Sequence, residues 1–113
     1  MRTIIAGSRT ISDYSSVLTA IKQSGFIVTA IVSGGARGVD SLGQRYAREN
    51  LLPLEIVLPN WNEYGFVAGF LRNEEMASMA DALIAVWDGK SRGTAYMIGV
   101  ARRVGLPVYV HFV

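Results

Sequence analysis

The chain is predicted to form an α/β domain in which five parallel strands alternate with helices in the order βαβαβαβαβ. Three observations predict this class. The strand candidates are continuous apolar runs, as expected of strands that are buried on both faces of a parallel sheet. The segments between them repeat apolar residues at helical spacing. Polar or glycine-rich turns follow three of the strands, where the carboxyl edge of the sheet would gather them.

Composition indicates a single packed domain over residues 1–113. Half of the residues are hydrophobic and 18% are charged, which is typical of a globular chain and not of a disordered one. There is no cysteine, which excludes disulfides, thiolate metal sites and cysteine nucleophiles and fits a cytoplasmic location. The first apolar run is too short for a signal peptide or a membrane span. A domain this small would gain from forming a homo-oligomer, and a dimer is expected.

Charge favours a small anionic partner over an extended nucleic-acid surface. The formal net charge is +2, and only Arg102 and Arg103 are adjacent basic residues. A nucleic-acid-binding protein usually concentrates its basic residues in a stripe. His111 is the only histidine and has no metal-ligand partner at useful spacing, so no metal site and no certain cofactor are expected.

The first half of the chain predicts two strands and two helices. Thr3–Ala6 is the first strand, and Ser12 or Asp13 caps a helix that stops at Gly25. The second strand ends the apolar run 26–32, and the second helix runs from about Val39 to Asn50. The rest of the chain predicts a strand over 54–58, a loop over 59–65, a helix over 67–79, a strand over 82–87, a helix over 94–104 and a last strand over 107–111.

The stretch from Ser33 to Asp40 is the strongest local signal. Gly34, Gly35 and Gly38 allow a sharp turn and a close approach to a ligand, directly after a strand and before a helix. A strand, a glycine turn and a helix N-terminus together form an anion site, because backbone N–H groups point outward and the helix dipole favours negative charge. This loop is therefore predicted to hold a phosphate or a carboxylate.

Two further loops are predicted to border the same crevice. A strand order of 3-2-1-4-5 would place the first and fourth strands at the topological switch point, where open α/β sheets bind ligands. Gly7-Ser8-Arg9 follows the first strand, and the glycine-rich stretch from Asp88 to Thr94 follows the fourth. With the Ser33–Asp40 loop, they would surround one site.

Motifs along nearly the whole chain carry a family resemblance. They are Ile5-Ala6-Gly7-Ser8-Arg9, Val32 to Asp40, Trp61-Asn62-Glu63-Tyr64-Gly65, Arg72-Asn73-Glu74-Glu75-Met76, Ala80 to Asp88 and Ser91-Arg92-Gly93-Thr94. In these motifs the chain resembles the SLOG superfamily of Rossmann-like proteins, and within it the small stand-alone YspA-like proteins of bacteria and phages. The resemblance implies a Rossmann-like three-layer sandwich around a five-stranded parallel sheet.

Two groups of related proteins imply different activities. The chain is similar to LOG-type phosphoribohydrolases in Arg72 and Gly93-Thr94, but Ala95-Tyr96-Met97 stands where those enzymes have a glutamate. The Pro-Gly-Gly that opens their loop is replaced by Gly89-Lys90-Ser91-Arg92. The segment Ser33–Asp40 is similar to that of DprA, which binds single-stranded DNA.

Several candidate residues have an alternative structural interpretation. Asp40 could cap its helix or pair with Arg37, and Asp88 could bind a ribose hydroxyl or start a turn. Glu74 and Glu75 are read as acids at the start of a helix, or as substitutes for the missing catalytic glutamate. Thr94 could be an N-cap that also faces a phosphate. The predicted ligand-binding residues are Gly7, Ser8, Arg9, Ser33, Gly34, Gly35, Ala36, Arg37, Asp40, Trp61, Tyr64, Arg72, Asn73, Asp88, Ser91, Gly93 and Thr94.

The favoured function is binding or sensing of a nucleotide or nucleotide derivative, for example one like ADP-ribose. Phosphate loops and arginines would hold the anion, and Trp61 or Tyr64, predicted to lie in a loop, would stack on the base. The first alternative is a nucleoside-monophosphate phosphoribohydrolase that uses Arg72 with Glu75 or another acid. The second alternative is a single-stranded DNA-binding module like DprA.

Overall fold

The computed structural model describes residues 1–113 and contains one five-stranded parallel sheet in the order β3-β2-β1-β4-β5. This confirms the predicted fold class and strand order. The strands are β1 (Arg2–Gly7), β2 (Ala30–Ser33), β3 (Leu54–Ile56), β4 (Ala82–Trp87) and β5 (Val108–Phe112).

Helices cover both faces of the sheet. They are α1 (Tyr14–Ser24), α2 (Val39–Glu49), α3 (Trp61–Tyr64), α4 (Ala68–Met79) and α5 (Arg92–Arg103), with a 3-10 turn over Gly65–Val67 between α3 and α4. Helices α1 and α2 pack on one face, and α4 and α5 pack on the other. No helix is both long and apolar enough to cross a membrane.

Alternation along the central strands builds two separate cores. In β1, Ile4 and Ile5 are both fully buried but belong to opposite cores, because successive side chains of a strand point to opposite faces. Ile4 packs in the core that contains Met76 and Met97 of α4 and α5. Burial on both faces explains why the strands are continuous apolar runs.

Strand β1 lies at the centre, and the chain reverses direction beside it. From β1 the chain moves outward through β2 to β3, and then returns to β4 on the other side of β1. The carboxyl ends of β1 and β4 therefore flank the switch point. The loops after β1, β2 and β4 lie together at this edge.

The helix boundaries differ from the predictions in two places that affect the site. The predicted loop over 59–65 is wrong, because Trp61–Tyr64 forms a helical turn whose cap, Asn60, accepts a hydrogen bond from Glu63 N at 3.1 Å. Helix α5 begins at Arg92, with Ser91 at the N-cap position. Thr94 is therefore inside the first turn of α5 and is not an N-cap. In α1, Asp13 is the N-cap and Gly25 ends the helix with a φ of 70°, both as predicted.

Gly7 is required by the closeness of β1 to β4. A Cβ atom there would lie 1.9 Å from the carbonyl oxygen of Val86, which is backbone and cannot turn away. We expect Gly7→Ala to lower the free energy of unfolding by about 3 kcal/mol, at the upper end of overpacking costs. Gly99→Ala is the control, because it lies in α5 with open space around it and should stabilise by about 0.5–1 kcal/mol. Urea denaturation measures both, and equal effects would contradict this account.

Candidate functional site

An open cleft of about 850 Å³ lies at the carboxyl edge of the sheet. Its walls are the loops after β1, β2 and β4, helix α4 and the aromatic segment that precedes α4. The structure brings most of the predicted site residues together in this cleft: Gly7, Ser8, Arg9, Gly34, Gly35, Ala36, Arg37, Asp40, Trp61, Arg72, Asn73, Asp88, Ser91, Gly93 and Thr94.

Ser8 joins the three loops at the floor of the cleft. Its side chain is buried, and its Oγ accepts a hydrogen bond from Asp88 N at 3.0 Å. Its carbonyl oxygen accepts from Val39 N at the start of α2, and its N–H donates to the carbonyl of Val86. Ser8 therefore fixes the loops relative to one another.

The loop between β2 and α2 is shaped by its glycines and by Asp40. Gly35 and Gly38 have positive φ angles, and a Cβ on Gly38 would lie 2.5 Å from the carbonyl oxygen of Ser8. Ala36 N donates to Oδ2 of Asp40 at 3.1 Å, which folds the loop back over the first turn of α2. No side chain caps α2.

The loop between β4 and α5 presents a second helix N-terminus. Oδ1 of Asp88 accepts hydrogen bonds from Lys90 N and Ser91 N, and these bonds hold the pKa of Asp88 below its usual range. This turn leads directly into α5, which has no side-chain cap. The backbone N–H groups of Arg92, Gly93 and Thr94 make no backbone hydrogen bond, and these three residues line the cleft. They form the clearest anion-binding geometry in the structure.

Helix α4 ties these two loops together across the cleft. The Arg72 guanidinium donates through Nη1 to the carbonyl oxygen of Gly34, and through Nε to Oδ1 of Asn73 at 3.0 Å. Asn73, which is buried, donates through Nδ2 to the carbonyl of Gly93 at 3.5 Å. A Cβ on Gly34 would lie 2.7 Å from Nη1 of Arg72, so the guanidinium occupies the space that the glycine leaves.

Asp40 is the buried carboxyl group of the cleft. Burial raises its pKa from 3.8 to about 6, although the hydrogen bond from Ala36 N and the positive charge of Arg72 both act in the opposite direction. The expectations that Asp40 caps α2 or pairs with Arg37 were wrong. Gly38 occupies the cap position, and the nearest opposing charge is that of Arg72, which is not in direct ion-pair contact.

Four cationic side chains surround the mouth of the cleft. Arg9, Arg37, Lys90 and Arg92 are exposed and form no ion pair, since the one direct ion pair in the chain joins Arg45 to Glu49. These side chains are free to contact an anion in the cleft.

An aromatic wall formed by Trp61, Phe66 and Phe70 closes the opposite side of the cleft. All three side chains are largely or partly exposed, and Phe70 contacts Tyr96 edge-to-face at 4.7 Å between ring centroids. Sequence reasoning identified Trp61 but missed Phe66 and Phe70. The sequence did contain a signal for this wall, namely the several aromatic residues close together around the start of α4. The prediction assigned some of them to a loop and the others to a helix face.

A few predicted residues lie outside the cleft. Ser33 is fully buried beneath it, and its Oγ donates to the carbonyl oxygen of Asp40 at 3.2 Å. Tyr64 and Glu75 border a neighbouring hollow of about 300 Å³. Glu74 accepts a hydrogen bond from the Tyr96 hydroxyl at 3.0 Å. Glu74 and Glu75 do not start a helix, because α4 begins at Ala68, and neither lines the cleft.

The sheet order and the cleft at its switch point define a Rossmann-like α/β protein. The chain belongs to the YspA, cpYpsA-related SLOG family, whose model matches residues 1–64. It is 36% identical over 120 residues to the Gene 61 protein of Mycobacterium phage D29, an alignment that covers 95% of this chain and 93% of that protein. No solved structure matches the chain. The SLOG resemblance predicted from the motifs is thus confirmed.

The raised pKa of Asp40 predicts a pH-dependent stability. The fold holds the Asp40 proton more tightly than the unfolded chain does, so the contribution of Asp40 becomes less favourable as pH rises from about 4 to 7. The shift from 3.8 to about 6 corresponds to about 3 kcal/mol. Asp40→Asn should remove this dependence, because an amide does not titrate in this pH range. The fold should be kept, because the amide oxygen can still accept the hydrogen bond from Ala36 N.

Urea unfolding of the wild type and of Asp40→Asn at several pH values across that range measures the effect. Taking the difference between the two proteins cancels the titration of other groups, such as Asp88, whose lowered pKa acts with the opposite sign. A difference that does not change with pH would contradict the assignment of this proton to Asp40.

Proposed function

We propose that the protein binds a nucleotide or a nucleotide derivative in the cleft. The observation that carries this proposal is the meeting of two helix N-termini that lack a side-chain cap, those of α2 and α5, with an aromatic wall in one cavity. A ligand with an anionic group at one end and a flat apolar group at the other matches the two ends of such a cavity. A nucleotide has both parts.

The phosphate is assigned to the N-terminus of α5. The free N–H groups of Arg92, Gly93 and Thr94 and the dipole of a 12-residue helix favour an anion there. Arg37 and Arg92 stand at the mouth of the cleft and can donate to phosphate oxygens. Each charge-assisted hydrogen bond contributes about 1.5–3 kcal/mol net.

The base is assigned to the aromatic wall. Micromolar affinity needs about 8 kcal/mol relative to the 1 M reference state. Phosphate contacts reach this free energy only before the costs of association are subtracted. A second favourable contribution to the binding free energy is therefore required. Stacking of a base on an aromatic side chain is worth about 1–3 kcal/mol. This requirement favours a complete nucleotide over free phosphate.

We expect Arg37→Gln and Arg92→Gln each to weaken nucleotide binding by about tenfold, the low end for a charge-assisted contact because both side chains are exposed. Arg102→Gln is the control, since Arg102 is an exposed arginine at the other end of α5 and does not line the cleft. Isothermal titration calorimetry with AMP, ADP and ADP-ribose measures the affinities.

Two results of this experiment would count against the proposal. Absence of binding by all three nucleotides would remove it. Tighter binding of single-stranded DNA than of any mononucleotide, with a steep dependence on salt, would instead favour the DprA-like alternative.

Asp40 favours a second candidate function, the hydrolysis of an N-glycosidic bond. Glu75 lies outside the cleft, Glu74 is engaged by Tyr96, and Asp88 is held by two backbone N–H groups. Asp40 is the remaining acid in the cleft, and its pKa of about 6 suits proton transfer near neutral pH. In such a reaction, water adds to the anomeric carbon of the ribose and the base leaves with a proton.

If this second function holds, Asp40→Asn should lower the release of free base from AMP by about 100-fold or more, as expected for the loss of a general acid or base. Chromatographic assay of adenine release measures the rate. Glu75→Gln is the matched control and should leave it unchanged, because Glu75 does not line the cleft. No turnover by the wild type across a panel of nucleoside monophosphates would exclude this candidate.

A further inference from the structure

A large apolar surface lies beside the cleft and is left uncovered. We name it the outer face and define it by six exposed side chains: Leu58, Trp61, Tyr64, Phe66, Phe70 and Leu71. Their exposures range from 41% to 88%, and Phe66 is the most exposed. The face is continuous, because Leu58 and Leu71 border the hollow of about 300 Å³ next to Tyr64, and Leu58 also borders the cleft with the other three.

The size of the outer face exceeds what a monomer usually leaves exposed. Scaled by their exposures, the six side chains present on the order of 700 Å². The largest apolar patch of a typical monomer is about 300–600 Å². A stable interface buries about 800 Å² on each partner. The outer face therefore has the area of one half of a protein–protein interface.

The charge of the segment that forms most of the outer face disfavours two kinds of partner for this face, although cationic side chains of the cleft lie beside it. Residues 51–71 contain no lysine or arginine, and their only charged residues are Glu55 and Glu63. A surface that binds nucleic acid or an anionic membrane needs basic side chains to neutralise phosphates. An aromatic surface with few charges, here Arg72 and Glu75 at the hollow, is instead typical of a protein interface.

Shape favours a second copy of this chain as the occupant. The outer face carries Phe66, which is 88% exposed, and a hollow that is bordered by both apolar side chains, such as Tyr64 and Leu71, and polar ones, such as Arg72 and Glu75. Two copies of one such face can be complementary to each other about a two-fold axis, as in most homodimers.

We propose that the outer face is the interface of a homodimer. The second copy would also cover one end of the ligand cleft, because Leu58, Pro59 and Arg72 border both the hollow and the cleft. Trp61, Phe66 and Phe70 belong to both the outer face and the aromatic wall assigned to the base, so dimerisation and base stacking would compete for these side chains. The test separates the two proposals because it reads the oligomeric state of the protein without nucleotide.

The test is sedimentation equilibrium of the wild type and of three variants. The wild type should sediment with twice the mass of the 12.3 kDa chain at micromolar concentrations. Phe66→Asp should weaken the dimer by at least 100-fold, because it places a charge at the centre of the interface. Tyr64→Asp should act in the same direction without touching the cleft. Ile27→Asp is the matched control, an apolar residue 76% exposed on another surface, and should remain dimeric.

Thermal unfolding followed by circular dichroism establishes that each variant is folded, which is expected because the substituted side chains are exposed. A wild type that stays monomeric up to about 200 μM would overturn the proposal. A dimer that persists in both Phe66→Asp and Tyr64→Asp would also overturn it, since the copies would then meet through another surface. If neither variant folds, Phe66→Ser, a milder substitution, is compared with the wild type instead. A weakened dimer then supports the proposal, and an unchanged dimer overturns it.

Discussion

The geometry of the cleft depends on hydrogen bonds that join the loops on either side of the switch point, those of Ser8 and those that α4 makes. Arg72 donates to the carbonyl oxygen of Gly34, and Asn73 donates to that of Gly93. The loops belong to β2 and β4, which are not neighbours in the sheet, so backbone pairing alone does not hold them together. Gly34 is the glycine that this arrangement requires, because the guanidinium takes the place of a side chain there.

Electrostatics explains why a carboxylate is found under a site assigned to an anion. Asp40 folds the loop by accepting from Ala36 N, and the positive charge of Arg72 offsets part of the cost of its burial. With a pKa of about 6, Asp40 retains its proton more readily than an ordinary aspartate. A phosphate bound nearby would favour the protonated form further, because it would place a second negative charge next to the first. Ligand binding at this site would therefore be linked to proton uptake.

The sequence predicts the fold and the position of the cleft well, because both depend on strong local patterns. Buried parallel strands such as Ala82–Trp87 are continuous apolar runs, and the switch point follows from their order. The partners of individual side chains were not predictable. Asp40 faces Arg72, which is 32 positions away along the chain, and only the packing of α4 brings them together. The exposed position of Phe66 and Phe70 was missed for a related reason, since an apolar residue near a helix is normally assigned to the core.

We propose above that a nucleotide phosphate binds at the N-terminus of α5, across the cleft from the loop before α2. The most direct measurement is a titration of the ¹⁵N-labelled protein with AMP and, separately, with adenosine, followed by the amide signals. AMP is expected to shift the amides of Arg92, Gly93 and Thr94 most strongly, with smaller shifts over 34–38, and adenosine is expected to leave them nearly unchanged. Equal shifts with both compounds, or AMP-induced shifts confined to residues outside the cleft, would contradict this proposal.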